Sequence, residues 1–169
     1  MSGPLYRFFT GDHRRLDELF ERTTANPKAY DLEAYAAFRS GLLRHIGLEE
    51  KILFPAAQRA HGDKPLQILT KLRLDHGAIT ALMVPPPSPA IIGALRKILA
   101  DHDALEESLD GIYELSEKLV GSDAEKLLAD VKNAPEVPVL KHRTEAFILD
   151  ATRRALKRAG YDLDDFGKV

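Results

Sequence analysis

The stretch HIGLEEKILFP, residues 45–55, decides the fold class and points to a function. His45 and Glu49 are four residues apart, so on an α-helix both side chains project from nearly the same face, one turn apart. The apolar residues around them recur at intervals of three and four, which is the period of an amphipathic helix. We therefore predict a helix that turns His45 and Glu49 towards its apolar side, at a spacing typical of metal ligands.

The same spacing occurs again in LADHDALEESL, residues 99–109, where it joins His102 and Glu106. Two further histidines, His13 and His76, each fall on the apolar stripe of a separate amphipathic pattern. No part of the sequence alternates with the period of two that is typical of a strand, so the predicted fold class is all-α. Two short-looped helix pairs joined in sequence favour an up-down-up-down four-helix bundle, in which the polar residues should converge.

Turn and capping residues set the predicted bounds of the helices. The first covers roughly residues 11–24, the second begins at the N-cap Asp31 and ends near His61-Gly62, and Pro55 should kink or shorten it. The third opens near Pro65, and the fourth follows the cap Ser88 and continues through Leu109 to Tyr113. Two more helices are predicted near residues 123–131 and 144–159. The bundle is assigned to residues 1–120, and residues 121–169 form a helical extension that packs on the bundle or on a partner.

Composition excludes several classes of protein. Lys and Arg number 24 against 26 Asp and Glu, so the formal net charge of -2 gives no basic field for nucleic acid or an anionic membrane. No stretch resembles a signal peptide or reaches the ~20 apolar residues of a membrane span, so a cytoplasmic protein without membrane contact is expected. Cysteine is absent, which restricts any metal site to nitrogen and oxygen ligands.

Two carboxylates and four histidines on inward faces would be costly to bury without a compensating charge. No lysine or arginine lies on the inner stripes near Glu49 or Glu106, so a pair of cations would have to supply that charge. Imidazole and carboxylate ligands suit iron, manganese and zinc, whereas calcium and magnesium prefer oxygen ligands alone. The alternative is a buried network of His–Glu pairs without metal, which would need every lone pair and proton to be satisfied.

Together the motifs resemble the hemerythrin-like family, also called the HHE cation-binding domain, over about residues 8–115. The matching residues, in chain order, are His13 in GDHRRLDELF, His45 and Glu49 followed by Leu53-Phe54-Pro55, then His76, and finally His102 with Glu106. The resemblance implies two iron ions, with manganese or zinc as substitutes. It also implies that His13 and His45 bind one ion, His76 and His102 bind the other, and Glu49 and Glu106 bridge them.

One position departs from the family's oxygen carriers, and the choice of ligand at a second position is ambiguous. These carriers have a second histidine four residues after the third-helix histidine, where this sequence has Thr80. The difference favours chemistry at an open coordination position, where Thr80 could hold a water, over oxygen carriage. The carriers also place a carboxylate five residues after the fourth-helix histidine, which would select Glu107. Helix phase favours Glu106, because Glu107 lies ~100° further round, towards solvent. Tyr113, seven residues beyond Glu106, is interpreted as a core residue or as a partner for a nearby water.

The resemblance thus implies a non-haem di-iron protein that binds or responds to oxygen, peroxide or nitric oxide. Weak peroxidase- or catalase-like activity is compatible with an open position, but no inward residue beyond the ligands is an evident proton donor, so enzyme status is left open. The alternatives are an iron reservoir and a metal- or redox-gated regulatory module. In the module, a protein partner would bind the extension through an apolar stripe: Phe147, Ile148, Ala151, Ala155 and Leu156.

Overall fold

The computed structural model describes residues 3–168, and within that range the chain forms helices and loops without a strand. Eight α-helices follow in order: α1 Pro4–Thr24, α2 Leu32–Leu48, α3 Phe54–His61, α4 Ile68–Leu82, α5 Pro89–Glu107, α6 Ile112–Val120, α7 Ala124–Lys132 and α8 Ala146–Ala159. Shorter helical segments are the π-helical Glu49–Leu53 and the 3-10 helices Gly121–Asp123 and Leu163–Phe166. The prediction of an all-α fold is confirmed. None of the helices in the described range is long and apolar enough to span a bilayer.

The described chain divides into two compact units, each with its own buried side chains. Of the described residues, the first unit comprises 3–69 together with 104–139, and the second comprises 70–103 together with 140–168. The unit boundaries fall within α4 and α5, so each of these helices contributes residues to both units.

In the first unit, α1 packs against α2, α6 and α7, while α3 packs against α6. The stripe predicted on α1 is buried, and one end of it meets α2 where the rings of Phe20 and Phe38 lie 4.8 Å apart. Asp31 caps α2 as predicted, because its Oδ1 accepts a hydrogen bond from the amide of Ala34 at 2.9 Å. His13 on α1 and His45 on α2 therefore enter a core that is built mainly from aliphatic and aromatic side chains.

The chain passes from α2 to α3 through the π-helical turn Glu49–Leu53. The amide of Phe54 donates to the carbonyl of Glu49, five residues back, and the next residue, Pro55, has no amide hydrogen to donate. The wider turn lets the helical path continue through the proline. The kink or shortening predicted at Pro55 therefore takes the form of a π turn. Such turns are frequent at functional sites, and this one begins at Glu49.

The start of α1 is held by α6. The amide of Leu5 donates to Oε1 of Glu117 at 2.5 Å, and the same carboxylate lies against Gly3, where a Cβ would be 1.5 Å from its Oε2. The hydroxyl of Tyr6 donates to the carbonyl of Glu107 at 3.0 Å, which fixes the end of α5 beside α1. Helix α1 begins seven residues earlier than predicted. The proline at its first position was the available signal.

Helix α5 ends at Glu107 instead of continuing to Tyr113, so the prediction of one helix through both residues was wrong. A turn follows in which the amide of Gly111 donates to the carbonyl of Ser108 at 2.8 Å, and Leu109, predicted to point inward, is 79% exposed. Tyr113 is fully buried, but it reaches the interior from α6. Similarly, α4 begins at Ile68 and not at Pro65.

The turn before α6 requires a glycine because the backbone approaches closely. A Cβ at Gly111 would lie 2.2 Å from the carbonyl oxygen of Glu106, a contact that a side chain cannot make without moving the backbone. We expect Gly111→Ala to lower the free energy of unfolding by about 1–3 kcal/mol, as overpacking commonly does. Gly11→Ala is the matched control, because a Cβ in that helical position meets nothing within 4 Å and should stabilise by about 0.5–1 kcal/mol. Chemical denaturation measures both, and equal effects would contradict the steric explanation.

In the second unit, α8 packs against α4. Thr152 Oγ1 donates to the carbonyl of Ala81 at 3.2 Å, and Lys71 Nζ donates to the carbonyl of Ala159 at 2.8 Å. Further along, the hydroxyl of Tyr161 donates to Asp101 Oδ2 at 3.0 Å. The fully buried apolar side chains of this unit include Leu72, Ile79, Leu82, Leu95, Ile98, Leu156 and Leu163. Helix α8 thus contributes to the buried core of the second unit.

Candidate metal centre

Four buried side chains of the first unit bring their donor atoms together. One ligand atom each from His13 on α1, His45 on α2, Glu49 at the start of the π turn and Glu106 near the end of α5 lie within 4.8 Å of one another. The two carboxylates are fully buried, and the two histidines are 4% and 2% exposed. We call these four residues the donor cluster. Two nitrogen and two oxygen donors at this spacing could hold a metal ion.

Each histidine of the donor cluster is oriented by a carboxylate on its far side. His13 Nδ1 donates to Glu107 Oε1 at 2.7 Å, and His45 Nδ1 donates to Asp12 Oδ2 at 2.9 Å. Because an ionised carboxylate only accepts, these bonds place a hydrogen on each Nδ1 and a lone pair on each neutral Nε2. The two Nε2 atoms lie 3.0 Å apart, so two lone pairs face each other. Such a pair is stable only with a cation or a proton between the rings.

The distances within the donor cluster fit one ion bound by nitrogen and oxygen. Two ligand atoms bound at about 2.1 Å and at right angles are about 3.0 Å apart. The Nε2 atoms of His13 and His45 have that separation. His45 Nε2 lies 3.3 Å from Glu49 Oε1, and His13 Nε2 lies 3.4 Å from Glu106 Oε2. Neutral imidazoles oriented by carboxylates are also the usual state of metal-binding histidines, so the residues present fit a divalent or trivalent transition metal.

The carboxylates in and around the donor cluster favour a positive charge at its centre. Burial alone would lower the pKa of His45, but the Glu49 carboxylate, the hydrogen bond to Asp12 and the charge of Glu106 outweigh it and raise this pKa to about 10. Burial would raise the pKa of Asp12, yet the bond from His45 and the nearby Arg15 lower it. Without a metal, a proton on His45 therefore takes the place of the cation.

The hydroxyl of Tyr113 contacts every member of the donor cluster. It lies 2.6 Å from Glu49 Oε1, 2.8 Å from Glu106 Oε2, 3.0 Å from His13 Nε2 and 3.2 Å from His45 Nε2. Burial and the two carboxylates raise the pKa of this phenol well above its usual value, so it carries its proton when no cation is bound. Tyr113 is thus more than a packing residue, and the sequence had offered only its helical spacing as a signal.

Aromatic packing closes one side of the donor cluster. The fully buried ring of Phe9 stacks on Tyr113 at 5.1 Å between centroids and meets His45 edge-on at 5.5 Å. These contacts fix both rings and keep water away from the donor atoms, which strengthens the electrostatic interactions inside.

The second unit contains a similar histidine pair. The Nε2 atoms of His76 on α4 and His102 on α5 lie 3.1 Å apart, and both side chains are buried. His102 Nδ1 lies 3.4 Å from Asp75 Oδ2, and Asp75 also pairs with Lys71 at 2.5 Å. The Asp75 carboxylate contacts Nδ1 of His102 and lies away from the facing Nε2 atoms. It supports His102 from behind, as Asp12 supports His45.

The remaining candidate residues lie elsewhere. Thr80 is exposed on α4, which does not fit the expectation that it holds a water beside a buried metal. Glu107 does not point freely into solvent as helix phase predicts, because it accepts the His13 bond and pairs with Arg14. Asp12 was missed as a functional residue, and Glu107 was weighed only as an alternative metal ligand and not as the partner of His13. Each approaches its histidine from a different helix, so no local sequence pattern could reveal the pairing.

The orienting carboxylate of His45 provides a direct test of the site. We expect Asp12→Ala to weaken metal binding about 10–100-fold, because the imidazole loses the partner that fixes its tautomer. Asp17→Ala is the matched control on the same helix. Asp17 pairs with the exposed Arg14 at 3.2 Å, and within the part of the chain that the structure describes it forms no hydrogen bond or ion pair with a histidine. Competition with a chelating dye measures both affinities. Equal affinities of the two variants would show that the Asp12 bond does not act on a metal.

Comparison with known proteins agrees with this geometry. Residues 5–84 match the family model of the hemerythrin HHE cation binding domain, which confirms the resemblance inferred from the motifs. The matched segment includes His13, His45, Glu49 and His76 and ends before α5. No curated protein and no solved structure is similar enough to count as a match.

Proposed function

With residues 5–84 matching the hemerythrin HHE cation binding domain, we propose that this protein is a non-haem di-iron protein. In this proposal it binds or responds to oxygen, peroxide or nitric oxide at a centre built from histidines and carboxylates. The predicted cytoplasmic location belongs to the same proposal. Cation binding is the function typical of the matched domain, and the side chains of the donor cluster have the chemistry to perform it.

The observation that carries the proposal is the convergence of His13, His45, Glu49 and Glu106 in a buried core. Packing alone does not explain why two carboxylates and two oriented imidazoles are buried together. Burying a charged group without a neutralising partner costs on the order of several kcal/mol of folding free energy. A bound cation would neutralise both carboxylates and both facing lone pairs at once. The His–Glu network without metal would need shared protons for the same atoms.

The arrangement of a second ion completes the proposal. His76 and His102 would bind it, and Glu49 and Glu106 would bridge the two ions, as the family resemblance implies. Helices α1, α2, α4 and α5 would then be the four helices of an up-down-up-down bundle within residues 1–120. Manganese or zinc could substitute for iron, because the same nitrogen and oxygen donors accept each of these metals.

The protein's own residues would prepare the centre for a small ligand. Asp12 and Glu107 hold the imidazoles with their lone pairs inward, and Phe9 excludes water from one side. Tyr113 adds a proton-bearing group inside the cluster, where the sequence had indicated a core residue or a partner for a nearby water. Bound iron would supply electrons to an oxidant or a binding position for a gas. Peroxidase- or catalase-like turnover is compatible with this set of groups.

Anaerobic iron loading followed by exposure to oxygen, peroxide and nitric oxide tests the proposal. We expect the ferrous protein to change its ultraviolet-visible spectrum on exposure to at least one of these ligands, faster than free iron in the same buffer. The matched control is His45→Ala, which removes a donor and should abolish the change. Iron uptake without any spectral response would overturn the proposed response to oxidants and favour an iron reservoir or a metal-gated module.

The structure offers less support for a module that acts through its C-terminal helices. The apolar stripe of α8 is largely covered, because Ile148 and Leu156 are buried and Thr152 bonds to α4 within the second unit. Phe147 and Ala151 are the exposed members of the stripe, and Arg143 lies 5.2 Å from the ring centroid of Phe147. A partner would therefore find mainly one aromatic side chain, so the metal centre remains the preferred basis of function.

A further inference from the structure

We propose that Tyr113 is a direct metal ligand, whose phenolate oxygen binds the ion held by the donor cluster. This inference rests on the proposed function, because it concerns the ion that His13 and His45 would hold. It adds a fifth donor from a helix that neither the sequence motifs nor the family match includes. The support comes from geometry, positioning and hydrogen-bond capacity.

The Tyr113 hydroxyl lies at the distance from the other four donor atoms that is expected between ligands of one ion. In a six-coordinate ion with bonds of about 2.1 Å, neighbouring ligand atoms are about 3.0 Å apart. The Tyr113 hydroxyl lies 2.6–3.2 Å from all four donor atoms of the cluster. Three contacts between those four atoms are 3.0, 3.3 and 3.4 Å. The separations between the hydroxyl and the four donor atoms are thus those expected of neighbouring ligands on one ion.

The protein holds Tyr113 in this position through several independent contacts. Its ring stacks on Phe9 at 5.1 Å with an interplanar angle of 19°, and Tyr6 meets it edge-on at 6.4 Å. Gly111 lets the turn before α6 pass close to Glu106, and Glu117 ties α6 to the start of α1. The hydroxyl is therefore directed into the cluster by the backbone and by the packing of its ring.

The hydroxyl of Tyr113 has more acceptor atoms around it than hydrogens to donate. A phenol has one hydrogen, so it can donate to one of the two carboxylates, Glu49 or Glu106. The contact to the other carboxylate then brings two acceptor oxygens together. A cation at this point would neutralise both oxygens, as a proton within the cluster does when no metal is bound. On binding, the O–H bond breaks, a metal–oxygen bond forms, and the proton leaves to solvent, with no change in oxidation state.

The test is the visible spectrum of the ferric protein, because a phenolate bound to iron(III) gives a charge-transfer band that histidine and carboxylate ligands do not. We expect the iron-loaded, oxidised protein to show this band, with tyrosine ring modes enhanced in its resonance Raman spectrum. Tyr113→Phe should lose the band and bind iron about tenfold more weakly while keeping the other donors. Tyr35→Phe is the matched control, since Tyr35 is also a buried tyrosine of the first unit, and it should keep the band.

A second variant, which keeps Tyr113 and replaces the other tyrosines, tests the inference even if the Tyr113→Phe protein misfolds. The protein has five tyrosines, and replacing the other four with phenylalanine leaves Tyr113 as the only source of phenolate. The band must persist in that variant. Iron bound without a phenolate band in the unaltered protein, or a band that survives Tyr113→Phe, would overturn the inference but leave the proposed function standing. Failure of the unaltered protein to bind iron would overturn both.

Discussion

Glu49→Gln is expected to weaken metal binding on the order of 100-fold or more, the largest effect of any single substitution considered. The change keeps the size of the side chain but removes the negative charge that faces His45 at 3.3 Å. An amide oxygen is a much weaker ligand than a carboxylate for iron, and the amide NH₂ cannot bind a cation. Loss of an orienting partner alone costs about 10–100-fold, so the loss of a ligand should exceed that range.

Glu50→Gln is the control for this prediction. Glu50 is the next residue in the π turn, but it contributes no atom to the donor cluster. Both variants lose one negative charge from the same turn, so a general electrostatic effect would weaken binding equally. Metal content after dialysis against a chelator should stay near that of the unaltered protein for Glu50→Gln and fall to background for Glu49→Gln. Equal retention by the two variants would exclude Glu49 as a ligand.

Metal removal should lower the thermal stability of the protein substantially. The donor cluster buries two carboxylates and two facing imidazole lone pairs, and a cation stabilises all four in the folded state only. At a free metal concentration 1,000 times the Kd, the gain is about 4 kcal/mol. For a chain of this length each kcal/mol shifts Tm by about 2–4 °C. We therefore expect Tm to fall by about 10 °C when the metal is removed.

Differential scanning calorimetry with and without a chelator measures this shift. The Glu49→Gln variant is the internal control, because a protein that cannot hold the ion should unfold at the same temperature in both conditions. Identical Tm values for the unaltered protein with and without metal, at concentrations that saturate the site, would show that binding is not coupled to folding. The inward polar residues would then be a metal-independent network.

The helical fold and the members of the donor cluster could be predicted from the sequence because the evidence for them is local. The three- and four-residue recurrence of apolar residues identifies helices, and the same period shows that His45 and Glu49 share an inward face. His13 follows from its position on the stripe of α1. Helix phase also separates Glu106, which joins the cluster, from Glu107, which does not.

The supporting residues could not be predicted because they depend on contacts between distant segments. Asp12 orients His45 across 33 residues, and Glu107 orients His13 across 94. Tyr113 lies on the apolar period that continues from α5, yet a turn at Gly111 breaks the helix before it. The apolar period therefore predicted correctly that Tyr113 is buried, but it predicted wrongly that one helix runs from Glu106 to Tyr113. The direction of its hydroxyl depends on ring packing against Phe9, which no periodicity encodes.

The central claim is that the buried histidines and carboxylates hold metal, and the most direct test is the metal stoichiometry of the purified protein. Anaerobically reconstituted protein, freed of loosely bound iron by gel filtration, would be measured by elemental analysis beside the Glu49→Gln and Glu50→Gln variants. The proposal predicts two irons per chain in the unaltered protein and in Glu50→Gln, with a loss of iron in Glu49→Gln. No stoichiometric iron, manganese or zinc in the unaltered protein would contradict it.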